Sequence, residues 1–193
     1  MKLFFVKSIE PFISKLPAAA EVGAGMRYTL RDAKIGNSLY TTGINTCSGF
    51  GLRAGEQNLL GHIKPEDFNP RNFAGAFEKL VKDFQNKYGA LVFGGREISF
   101  IDPHCRTRSN EVSATMCDVL STKCNIPDEN FASIMGKFTN IKTNDNMAVI
   151  GDKVYLANKE FEKAGLLSAP KDKIETLAQD VYEDVFIPKS FLV

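Results

Sequence analysis

The sequence predicts an α+β domain, on three observations. Short alternating segments are separated by glycine-containing turns, the pattern of antiparallel hairpins. Two stretches, one after Asn69 and one after Ser109, repeat apolar residues at the three-to-four spacing of a helix with one buried face. A chain of 193 residues, 44% hydrophobic with fifteen phenylalanines, can bury one core, so residues 1–193 are expected to form a single domain.

Taken in order, residues 2–6 read as a strand and 8–16 as a short helix, followed by the linker PAAAEVGAG. Residues 27–31 and 38–42 alternate around Gly36-Asn37 and suit a hairpin. The chain then turns through Ile44, Asn45 and Thr46 to deliver Cys47 at a loop or strand start. Residues 48–53 and 57–63 are strands around Ala54-Gly55. Asn69-Pro70 makes an N-cap and first helical position, and Phe73, Phe77, Leu80, Val81, Phe84 and Tyr88 form the buried stripe of a helix stopped by Gly89. Residues 90–93 run as a strand into Gly94-Gly95, and residues 97–101 form another before Asp102-Pro103 breaks the chain. Ser109 caps a second helix with Val112, Met116, Val119, Leu120 and Cys124 on its buried face. Residues 147–150 and 153–156 pair about Gly151-Asp152. A last helix carries Ile174, Leu177, Ala178, Val181, Tyr182 and Val185 on one stripe and ends before Pro188.

Composition narrows the function. The net charge is +1, and no basic run interleaves with aromatics, so no nucleic-acid partner is expected. No segment has the length and apolarity of a membrane span. The opening MKLFFV is interrupted by Lys7 and Glu10, short of the apolar core of a signal peptide, so a cytoplasmic location is expected. Cysteines 47, 105, 117 and 124 have neither C-x-x-C pairing nor a disulfide-scaffold spacing, so they read as reduced thiols. His104, Cys105, Cys117 and Cys124 are metal-ligand types. Cys117 and Cys124, however, are seven apart on a helix, the spacing of one core face, so neither metal nor cofactor is expected.

The chemistry concentrates between Thr41 and His62, TTGINTCSGFGLRAGEQNLLGH. A two-residue turn at Ala54-Gly55 sets Arg53 opposite Glu56 and, counting outward, Cys47 opposite His62, with Cβ atoms roughly 5 Å apart on one face. A cysteine attacks as thiolate, and a neighbouring imidazole lowers its pKa and carries the proton. Gly49 and Gly51 on the same face are expected to leave room for a substrate segment. Backbone N–H groups around Thr46, Cys47 and Gly94 are candidate oxyanion donors. The alternative is structural: cysteine is among the most buried residue types, and the histidine and Thr41 are then ordinary strand residues.

The order of landmarks resembles the CheD and cytotoxic necrotizing factor superfamily: TTGINTC, a histidine after a short hairpin, a helix, FGG and a capped helix. That resemblance covers residues 25–157 and implies layered β-sheets, sandwich-like, flanked by helices. It implies a cysteine-dependent protein glutamine deamidase with Cys47, His62 and Thr41 as the catalytic set, and it sets Gly43 and the Phe93-Gly94-Gly95 turn beside them. Residues 26–157 then form the catalytic core, with residues 1–25 an N-terminal extension and 158–193 a C-terminal helical extension. The family's glycine and serine just before the cysteine are Asn45 and Thr46 here, and the cysteine-to-histidine interval is nearer the toxin branch. The implied partner is a protein presenting a glutamine, reached in the cytoplasm or after delivery into a host cell as an effector. Rival readings are another Cys-His acyl-transfer enzyme, of peptidase or transglutaminase type, and a non-catalytic protein-binding module that kept the fold.

Overall fold

The computed structural model describes residues 2–6, 8–14, 20–21, 33–44, 47–63, 69–91, 99–103, 107–126, 131–135, 145–157 and 184–186. They form a mixed α+β fold built on two sheets. The first has five strands in the order β1-β10-β9-β4-β2: β1 (Lys2–Val6), β10 (Lys153–Ala157), β9 (Asp145–Ile150), β4 (Ser38–Ile44) and β2 (Ala20–Glu21). The second has six, in the order β11-β8-β7-β5-β6-β3: β11 (Asp184–Phe186), β8 (Phe131–Met135), β7 (Ser99–Pro103), β5 (Ser48–Ala54), β6 (Gln57–Ile63) and β3 (Ala33–Gly36). Pairing is antiparallel except between β1 and β10, β2 and β4, and β7 and β8.

Two hairpins form as expected in kind. Gly151 begins the β9–β10 turn at φ +57°, with Ile150 paired to Lys153. Gly55 begins the β5–β6 turn at φ +54°. A positive φ at the first turn position is one that glycine alone adopts without strain, so the turn is Gly55-Glu56, and Ala54 closes the ladder opposite Gln57. That is one residue later than the sequence suggested. Arg53 consequently pairs with Asn58, although its guanidinium still reaches Glu56 Oε2 at 3.0 Å.

The hairpin expected between residues 27–31 and 38–42 is replaced, as far as the described residues go, by a change of sheet. Ala33–Gly36, read as part of a turn, is strand β3 on β6, and one residue later β4 enters the other sheet between β9 and β2. The crossing is secured by Asn58, whose Nδ2 donates to the carbonyls of Asn37 at 3.0 Å and Gly151 at 2.9 Å. Residues 27–31 lie outside the described set.

Alternation assigns the faces. In the five-stranded sheet Ala148 and Ala157 pack with Ile9, next to α1 (Glu10–Ile13), while Met147 and Val149 turn toward the six-stranded sheet and meet it at Gly49 and Gly51. In the six-stranded sheet Phe50, Leu52, Ala54, Leu59 and Ile63 face α2 (Pro70–Tyr88) and α3 (Thr107–Asp118) and share the larger core with them. Each large apolar side chain fully buried there contributes roughly 1.5–3 kcal/mol. Gly61 allows the Phe50 ring to lie across β6, because a Cβ would stand 2.1 Å from the ring, and Phe50 meets Phe77 edge-on at 5.0 Å.

Helix α2 follows its sequence pattern throughout. Asn69 Oδ1 accepts the Asn72 N–H, Pro70 opens the first turn, Gly89 ends it, and Phe73, Phe77, Leu80, Val81 and Phe84 are buried. Helix α3 starts at Thr107, two residues before the expected cap, and widens at its end into a π-helical turn, Val119–Lys123, where the Cys124 N–H reaches the Val119 carbonyl. Val119 and Leu120, at the start of that turn, are both buried. Asp102 and Pro103 end strand β7 and do not interrupt it.

The termini belong to the sheets. β1 and β2, in the part read as an extension, form both edges of the five-stranded sheet, and β11 extends the six-stranded one. Val185, expected on a helix, is a strand residue opposite Ile134. The remainder of the expected last helix, Ile174 to Tyr182, lies outside the described residues.

Candidate functional site

The site is built across the gap between the sheets. Thr41 lies on β4 opposite Met147, with its side chain directed to the six-stranded sheet, and His62 lies on β6 with its ring directed back. Thr41 Oγ1 and His62 Nδ1 share a hydrogen bond of 2.7 Å, joining residues 21 apart in sequence and in different sheets. Both are buried, Thr41 fully and His62 with 2% exposure. Such a bond in a dry interlayer fixes the ring orientation more firmly than a solvated one would. When Nδ1–H donates to the threonine oxygen, Nε2 holds the lone pair and is the nitrogen that can exchange a proton with a thiol.

The register places Gly49, and not Cys47, directly opposite His62. The one-residue displacement of the turn moves every partner by two, which preserves the face, because strand side chains alternate with period two. Cys47 immediately precedes β5, at the position that alternation puts on the His62 side, and is diagonal to it. Diagonal neighbours in an antiparallel pair are roughly 7–8 Å apart, within reach of a long or aromatic side chain. Exposure is 8% at Cys47, 2% at His62 and nil at Thr41, so all three residues are buried.

The glycines of β5 serve the packing of the sheets. A Cβ at Gly49 would stand 2.9 Å from Ile44 Cδ1, and one at Gly51 would stand 3.0 Å from Met147 Cε and 3.1 Å from Val149 Cγ2. Gly49 and Gly51 therefore let the five-stranded sheet approach, and the space expected for a substrate segment holds Ile44, Met147 and Val149.

Just past Thr41 the strand is irregular. Ile44 resumes pairing opposite Asp145, so Thr42 and Gly43 stand against Asn146 alone, and Asn146 Oδ1 accepts the Gly43 N–H at 3.0 Å. Neither Asn146 nor Asn58 was marked as part of this region by the sequence. Each acts on residues far away in the chain, and a single asparagine in a strand carries no periodic signal.

Of the remaining expected residues, Thr46 and Gly94, with Asn45, Phe93 and Gly95, lie outside the described set, as do His104 and Cys105. Cys117 and Cys124 are half-buried against the larger core, the position their spacing suggested. Burial pushes the Cys124 thiol above its ordinary pKa, with Lys82 acting the other way. Among the described residues no helix is long and apolar enough to cross a membrane. Comparison of the chain with protein-family models and with curated proteins finds no match for either.

Proposed function

We propose that this chain is a cysteine-dependent protein glutamine deamidase with Cys47 as nucleophile, His62 as acid and base, and Thr41 as the residue that orients the imidazole. The observation that carries this reading is the buried Thr41–His62 hydrogen bond, which engages Nδ1 and leaves Nε2 as the nitrogen available for proton transfer. A third group orienting the base in this way is the logic of nucleophile triads on many folds. The resemblance of Thr41, Gly43, Cys47 and His62 to the CheD and cytotoxic necrotizing factor superfamily supplies the choice of amide over other acyl substrates.

In the proposed reaction the Cys47 thiolate adds to the side-chain carbonyl carbon of glutamine, and the oxyanion is met by backbone N–H groups near Cys47. The C–N bond breaks as the His62 imidazolium gives its proton to the departing nitrogen, so ammonia leaves and a glutamyl thioester remains. His62, now neutral, takes a proton from water as it attacks the thioester, releasing glutamate and restoring the thiol.

The test is incubation of candidate partner proteins with the chain, followed by peptide mass spectrometry. A gain of about one dalton at a single glutamine, lost in Cys47→Ala and His62→Ala, is the expected result. Chain cleavage or incorporation of an amine would assign the dyad to another acyl transfer.

The near-complete burial of all three residues favours a second reading, in which the bond only fastens one sheet to the other and the chain is a binding module. The pH dependence of Cys47 alkylation separates the two. An activated thiol ionises well below the ~8.5 of an ordinary cysteine and loses that advantage in His62→Ala, whereas a structural thiol shows no change.

A further inference from the structure

Strand β4 keeps register with β9 through Thr41 and recovers it at Ile44, so two residues face one between those points. This is a β-bulge, which bends the strand and re-aims the residues beyond it. Gly43 sits in the bulge at φ +73°, and no atom lies within 4 Å of where its Cβ would be, so backbone conformation and not crowding calls for glycine there. The extra residue brings an amide that the ladder does not accommodate; Asn146, the residue opposite, accepts it with its side chain.

The bulge divides the site. Thr41 lies before it, in the regular ladder that holds the bond to His62. Beyond it the chain reaches Ile44, whose buried side chain lies over Gly49, and three residues later Cys47 begins the approach to β5 in the other sheet. Gly43 thus stands four residues before the thiol, and Cys47 itself is joined to Ser48, which pairs with Ile63 and Pro103 in the other sheet.

We infer that Asn146 is a positioning residue for Cys47: its side-chain oxygen clamps the Gly43 amide, four residues before the thiol, and so holds the end of β4 from which the chain crosses to β5. In its bearing on catalysis the inference rests on the deamidase reading, but the placement of the thiol is measurable without any substrate.

The experiment measures the rate of Cys47 alkylation by iodoacetamide in the full chain from about pH 5 to about pH 10, read by peptide mass spectrometry. Asn146→Ala removes the acceptor, and the apparent thiol pKa is expected to move by roughly one unit toward the ordinary ~8.5, with alkylation near neutral pH falling about three- to tenfold. Should the alanine variant fail to fold, Asn146→Ser replaces it, since its hydroxyl is too short to reach Gly43. A wild-type profile in the variant lacking the acceptor overturns the inference. His62→Ala separates the two readings. If it moves the profile and loss of the Asn146 acceptor does not, the dyad stands and the clamp falls. If loss of the acceptor moves the profile and His62→Ala does not, Asn146 still governs the thiol and the deamidase reading falls.

Discussion

Replacing Thr41 with valine keeps the shape of the side chain and removes its hydroxyl, leaving His62 Nδ1 buried without the oxygen that it meets at 2.7 Å. A buried polar atom deprived of its partner costs about 1–3 kcal/mol, so Thr41→Val is expected to lower the unfolding free energy by that amount, read as a lower urea midpoint at an unchanged m-value. Thr41→Ser, which retains the hydroxyl, is expected to recover most of the loss; an equal loss in both would assign the effect to packing. At this scale the residues themselves single out Cys47 and His62, by their pairing across the expected hairpin, and Thr41 is added by the resemblance to the CheD and cytotoxic necrotizing factor superfamily. Neither names Asn58 or Asn146. Asn58 binds carbonyls 21 and 93 residues away, and Asn146 binds an amide 103 residues away. Nothing local announces such bonds. Gly49 and Gly51 were noticed for the right physical reason, close approach of another segment, but that segment is the chain's own second sheet.

The elements divide according to whether their determinants are local. Helix α2 was legible from end to end: cap, first-turn proline, apolar stripe and terminal glycine all lie within one continuous stretch. Its cap is also testable in isolation. The side chain of Asn69 is an exposed acceptor for the Asn72 N–H, so Asn69→Ala is expected to cost about 1 kcal/mol and Asn69→Ser almost nothing, measured by chemical denaturation. A loss below about 0.3 kcal/mol in the alanine variant would show that water satisfies the same amide equally well. The β5–β6 hairpin was legible as a pair of strands but not in register, since the choice between Ala54-Gly55 and Gly55-Glu56 depends on which turn position takes the positive φ, and glycine suits either. The π-helical turn after α3 could not be read from spacing. Val119 and Leu120 fit the buried face of a regular helix just as well, so their apolar pattern carries no sign of it. Pairing of β3 with β6 and of β11 with β8 is likewise a matter of long-range partners, and a strand sequence does not specify its neighbour.

At the scale of the whole molecule, two polar fastenings hold the facing sheets, one toward each end of β6. Toward the end of the strand, His62 bonds to Thr41. Near its start, Asn58 donates to the Asn37 and Gly151 carbonyls and accepts from Arg53 Nη1 at 3.3 Å, tying the strand-to-strand crossing and the β9–β10 turn to the six-stranded sheet. Between them the interlayer is apolar, with Met147 and Val149 set over Gly51. Four residues of strand separate the two fastenings, roughly 13 Å, and they share no partner. Buried changes that far apart normally add within about 0.5 kcal/mol. Asn58→Leu strips two carbonyls and a guanidinium of a buried partner and is expected to cost about 2–4 kcal/mol, more than Thr41→Val alone. In the double variant the losses are expected to sum. A double-mutant cycle with a coupling above about 1 kcal/mol would mean that loosening one end already frees the other, and that the sheets separate as rigid plates. Additivity instead means that each end is held locally.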